Sequence, residues 1–160
     1  DGWTTSGMSD VRNDWGARVG STTTSDPTMT SPITYLDTSK YSRAHIRMMA
    51  SAHALKIPAS EDGSTLRQAQ DASLSAPAAK DAATPAPTEA TAQLFWSTTE
   101  FGMSGERSVT FKVYLDSKWH DYELDLKSNP NWKGLTDRLR LDPVDMAGVD
   151  VFVDEIWLAE

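Results

Sequence analysis

Ser108-Val109-Thr110-Phe111-Lys112-Val113-Tyr114-Leu115 alternates apolar and polar residues without a break. That two-residue period belongs to a strand with one face buried. The next segment, Trp119-His120-Asp121-Tyr122-Glu123-Leu124-Asp125-Leu126, puts His120, Tyr122, Leu124 and Leu126 on one face and three acids on the other. Asp116-Ser117-Lys118 between the two predicts a short hairpin connection. Arg138-Leu139-Arg140-Leu141-Asp142 alternates again until Pro143, which lacks the amide hydrogen a ladder needs. Val149 to Leu158 is apolar at nearly every position, so it reads as a central strand covered on both faces. Upstream, Ala44-His45-Ile46-Arg47-Met48 and Ala92-Gln93-Leu94-Phe95-Trp96 read as two further strands. No stretch of ten or more residues carries helical periodicity. The fold expected is all-β: a two-sheet antiparallel β-sandwich or jelly roll.

Between those upstream strands the composition changes. Residues 56–91 hold ten Ala, four Pro, four Ser and four Thr in 36 positions and no aromatic residue. Such a stretch buries too little apolar surface to offset the entropy of ordering it. It reads as a low-complexity loop inserted into a single domain spanning 1–160, with a short helix after Ser64 and an extended Ala/Pro run from Ala76 to Pro87. Neither flank is large enough to fold alone.

The chain has 160 residues and a net charge of −8, from 15 Lys plus Arg against 23 Asp plus Glu. Without a basic cluster it is unsuited to the phosphate backbone, so no nucleic-acid partner is expected. No segment approaches the roughly 18 apolar residues of a membrane span. With no Cys there is no disulfide, thiolate nucleophile or Cys-ligated metal. The start at Asp1, without Met or an apolar leader, is what a processed or trimmed protein would show.

Catalytic patterns are sparse, and no enzyme is expected. A glycosidase needs two carboxyl groups facing across a cleft. Asp121, Glu123 and Asp125 alternate as solvated surface acids do, and Asp154-Glu155 is the one acidic pair inside an apolar run. Only His45, His53 and His120 could act as a His base, and there is no Gly-x-Ser-x-Gly nucleophile elbow. Calcium suits the oxygen-rich acids Asp142, Asp145, Asp150 and Asp154. Asp154, a carboxylate inside an apolar strand, is the residue expected to hold a structural calcium.

Binding is better served than catalysis. Trp132 lies in the turn-rich Asn129-Pro130-Asn131-Trp132-Lys133-Gly134, where a flat indole could be presented to the apolar C–H face of a pyranose. Trp119 and Trp157 are expected in the core. Strand parity, with Leu139, Leu141, Ile46, Met48, Leu94 and Trp96 inward, sends Arg47, Gln93, Phe95 and Arg140 outward. Taken together on one sheet face, those four have the composition of a ligand site: planar polar forks beside an aromatic ring.

These segments, with Trp132-Lys133-Gly134, Leu139-Arg140-Leu141-Asp142-Pro143 and Val153-Asp154-Glu155-Ile156, resemble the jelly-roll carbohydrate-binding modules appended to extracellular bacterial polysaccharide-degrading enzymes and surface proteins. The resemblance covers most of 92–158 and, more weakly, Asp26-Pro27 and Ile46-Arg47-Met48. It implies a secreted, non-catalytic sandwich that binds a polysaccharide, often with a structural calcium. The insertion at 56–91 departs from the family pattern. The rival function is a structural subunit of an extracellular assembly, self-associating through the 56–91 loop or through edge strands.

Overall fold

The computed structural model describes residues 2–14, 16–52 and 88–160. Among them eleven strands run in chain order: β1 (Thr4–Ser6), β2 (Met8–Asp14), β3 (Ala17–Thr22), β4 (Thr28–Thr30), β5 (Leu36–Asp37), β6 (Arg43–Ala52), β7 (Glu89–Thr98), β8 (Ser108–Tyr114), β9 (Asp116–Asp125), β10 (Leu135–Asp142) and β11 (Val149–Ala159). One 3₁₀ turn, Thr38–Lys40, separates β5 from β6. The strands form two antiparallel sheets, one ordered β1-β4-β10-β7-β8 with β5 also on β10, the other ordered β2-β3-β11-β6-β9. The expected two-sheet sandwich is what the chain forms.

The core is the sum of the inward-facing halves of these strands. Ala44, Ile46, Met48 and Ala50 of β6 and Val149, Val151 and Val153 of β11 line one side. Leu94 and Trp96 of β7, Leu139 and Leu141 of β10 and Val113 of β8 line the other. Each large side chain removed from water in this way contributes about 1.5–3 kcal/mol. Among the short strands before β6, the chain changes sheets from β1 to β2, from β3 to β4 and from β5 to β6. Gly7 carries one such crossing from β1 to β2 at φ +65, and a Cβ there would lie 2.4 Å from Thr24 Oγ1. That position needs glycine.

Three local expectations are corrected. Asp116-Ser117-Lys118 makes no hairpin: β8 and β9 belong to different sheets, and the chain arches across the sandwich edge there. Ser117 turns the arch in the left-handed region at φ 60, and Asp116 Oδ1 accepts the Lys118 amide hydrogen at 3.1 Å. β11 is central, yet only its inner face is covered. Asp154 is exposed, and Trp157 is 47% exposed. The inserted segment ends before residue 91, because Glu89, Ala90 and Thr91 already belong to β7. The short helix after Ser64 and the extended run to Pro87 lie outside the described residues, as does the proposed contact through that loop.

Candidate functional site

The outer face of the β2-β3-β11-β6-β9 sheet is where register collects chemistry. Pairing sets Trp119 of β9 beside Met49 of β6, and Met49 beside Phe152 of β11. One step along, Asp121 of β9 pairs Arg47 of β6, and Arg47 pairs Glu155 of β11. Between Val153 and Glu155 the ladder slips by a β-bulge, so Asp154 and Glu155 both point outward. Arg47 is then held between two carboxylates, with Nη1 3.5 Å from Asp121 Oδ1 and Nε 3.3 Å from Asp154 Oδ2. Its guanidinium carbon lies 5.9 Å from the centre of the Trp119 ring, and Phe152 meets that indole edge-on at 6.5 Å. Trp119 is 41% exposed. Asp14, Arg47, Met49, Trp119, Phe152 and Asp154 surround a cleft of about 430 Å³.

A second indole stands on the same face. Trp157 pairs His45 in register, and their rings stack at 3.9 Å and 5°. His45 Nε2 lies 3.8 Å from Glu123 Oε2, which also receives Arg43 Nε through its other oxygen at 3.3 Å. Four residues along β6 and two strand spacings separate the indoles, roughly 13 Å one way and 10 Å the other. The face therefore offers two aromatic plates with an Arg–carboxylate cluster between them.

The opposite outer face, on the other sheet, holds three of the residues singled out from sequence. Gln93, Phe95 and Arg140 are brought together: Phe95 pairs Arg140, and Gln93 pairs Asp142. The Arg140 guanidinium stands 4.9 Å over the Phe95 ring. Its fork is already occupied, with Nε and Nη2 each donating to Asp142 at 2.6 Å and Nη2 also to Asp26 at 3.3 Å. Hydrogen bonding to Asp142 pushes the Arg140 guanidinium further up. Gln93 Nε2 donates to Ser108 Oγ at 2.7 Å.

Strand parity groups Arg47 with those three, but the structure places it on the other face. β6 lies in one sheet and β7 and β10 in the other, so outward means opposite sides of the molecule. Trp132 is corrected as well. It is 7% exposed, its ring packs edge-on against Trp96 at 5.0 Å, and its Nε1 donates to the Tyr41 carbonyl at 2.8 Å. The turn houses a buried indole because it finds that N–H a partner. Trp119 and Trp157, expected in the core, are both exposed.

Nor does Asp154 fit a calcium. That ion wants six to eight converging oxygens, whereas Asp154 faces the Arg47 guanidinium. Among the described residues no three His, Cys, Asp or Glu converge. Asp142 is bound by Arg140, and Asp145 accepts the Thr91 amide hydrogen at 2.9 Å. Asp150 accepts from Ser21 Oγ.

No protein-family model and no curated protein matches the chain by sequence. Solved structures match it by fold. A lysine variant of a family 29 carbohydrate-binding module, complexed with cellulohexaose, superposes at TM-score 0.54 and 8% identity, over 98% of this chain and 79% of that one. An aspartate variant complexed with mannohexaose gives 0.51 and 8%, over 98% and 79%. A CBM4 structure gives 0.54 and 8%, over 98% and 85%. The chain has the two-sheet jelly-roll fold of carbohydrate-binding modules.

Proposed function

We propose that this chain is a non-catalytic carbohydrate-binding module, and that it takes a polysaccharide on the outer face of the β2-β3-β11-β6-β9 sheet. The observation that carries the reading is Trp119: a large apolar plate left in water beside Arg47, Asp121 and Asp154. A pyranose has an apolar C–H face that stacks on such a plate, and hydroxyls that pair with planar donors and acceptors. Arg47, which meets its carboxylates only at 3.5 and 3.3 Å where Arg140 is held at 2.6 Å, supplies the donors, and its two carboxylate neighbours supply the acceptors. Trp157 extends the platform. The family 29 modules of the same fold, seen with cellulohexaose and mannohexaose, favour a neutral hexose polymer as ligand. The setting that suits such a module is extracellular. The Phe95–Arg140 face is the weaker candidate, since Asp142 and Asp26 already occupy the Arg140 fork and Ser108 the Gln93 amide.

Affinity electrophoresis in gels carrying soluble glucans, mannans, xylans or pectins tests this directly. Retardation by a neutral glycan is expected. Unretarded migration through every gel would overturn the reading.

A further inference from the structure

The turn that holds Trp132 also forms one wall of a second cleft, at the end of the sandwich and away from either sheet face. The opposite wall is the β7–β8 connection. Thr99, Glu100, Phe101, Asn131, Lys133 and Leu135 are among its lining residues, and its volume is about 410 Å³. That size falls within the range of small-ligand pockets.

The walls are rigidly built. Phe101 donates its amide hydrogen to Thr98 Oγ1 at 3.0 Å, and its carbonyl accepts from the Thr98 amide at 2.8 Å. Arg107 stands 4.6 Å over the Phe101 ring and is itself tied to Gly102 O and Ser104 Oγ through Nη1. Asn129 and Asn131 bind the two walls together, both donating to the Glu106 carbonyl at 3.1 Å. All this order is spent on a phenyl ring that stays 53% exposed and stabilises no core. Glu100 and Lys133, an acid and a base on the same cleft, form no ion pair among the described residues.

We propose that this end cleft is a second binding site, distinct from the sheet face, for a short neutral saccharide of one or two rings. The ligand class rests on reading the chain as a carbohydrate binder; the position of the cleft does not. Phe101 provides a stacking face on the side of its ring away from Arg107, Lys133 donates to hydroxyl oxygens, and Glu100 and the Asn131 side chain accept. Arg107 also lines the cleft, but its guanidinium lies over Phe101 and Nη1 is held by Gly102 O and Ser104 Oγ. Glu100 and Lys133, the acid and base left without an ion pair among the described residues, suit a neutral ligand carrying both donors and acceptors. Closed by two turns, the cleft suits a chain end or a side branch, whereas the open sheet face suits the middle of a polymer. Two sites on one module would let it bridge strands of a polysaccharide.

The experiment is an amide and indole NMR titration of the whole chain with cellobiose, mannobiose and their hexaoses, on wild type, Phe101→Ala and Lys133→Ala. Disaccharides are expected to shift the Thr99, Phe101, Asn131 and Gly134 amides. Phe101→Ala should weaken that response at least tenfold while leaving the Trp119 indole response to hexaoses unchanged. If saturating disaccharide moves no amide at this end, or if Phe101→Ala leaves the shifts as they were, the second site is overturned. Shifts at Trp119 alone would leave the sheet-face reading standing without the end cleft. Shifts at the end alone would do the reverse. No shift anywhere would remove both.

Discussion

Two tryptophans separate what a residue's neighbours in sequence say from what its neighbours in space do. Trp132 sits among turn formers and is nonetheless core, because its N–H reaches the Tyr41 carbonyl and its ring meets Trp96. Trp132→Ala should cost about 3–5 kcal/mol of stability, read as a lowered midpoint in urea or heat. A melt within a degree of wild type would show the ring to be dispensable. Trp119 was legible as exposed: it shares strand parity with Asp121, Glu123 and Asp125, the acids read as solvated. The apolar weight of an indole hid that signal. Trp119→Ala should leave the melting temperature nearly unchanged and weaken glycan binding by about 1–3 kcal/mol, the worth of one aromatic stacking contact. An equal loss of stability in both variants would return Trp119 to the core.

At the scale of elements, bulges and arches are what alternation does not reveal. Counted from Val149, Val151 and Val153, the period of β11 sends Trp157 inward. The bulge at Asp154 shifts that count by one, and every later side chain changes face. Nothing in the run Val153-Asp154-Glu155-Ile156 announces this except two adjacent acids that both need water. The β8–β9 arch hides in the same way, since a short polar connection suits a hairpin and an arch equally. Its chemistry gives a further prediction. The hydrogen bond from His120 holds the Asp116 carboxyl below the ordinary aspartate range. A depressed folded-state value means stability that is present above the unfolded value and lost as pH falls through the folded one. His120→Ala should therefore raise the Asp116 titration midpoint, followed by carboxyl NMR, and flatten the acid side of the stability profile. A midpoint unmoved by the substitution would show that the pair does not couple.

For the whole molecule, the class of fold was legible from five alternating segments, because a period of two buries one face whatever the topology. Which strands share a sheet was not. Alternation fixes inside and outside, and only pairing assigns sides, so parity groups Arg47 with Gln93, Phe95 and Arg140 although it lies across the sandwich. The early strands β1 to β5, four of them between two and six residues long, are too brief for a pattern to show. The connection from β6 to β7 joins different sheets. Replacing 57–86 by a short Gly/Ser linker that leaves Glu89 in place should preserve a cooperative melt, since closure entropy grows slowly with loop length. Loss of the transition would make the segment part of the fold. The central claim, that the β2-β3-β11-β6-β9 face takes a neutral glycan, is tested most directly by calorimetry. Wild type, Trp119→Ala and Phe95→Ala would each be titrated with cellohexaose and mannohexaose. The account predicts that wild type and Phe95→Ala bind at least one of them alike while Trp119→Ala binds it at least fivefold more weakly; binding lost with Phe95 and kept with Trp119→Ala would contradict it.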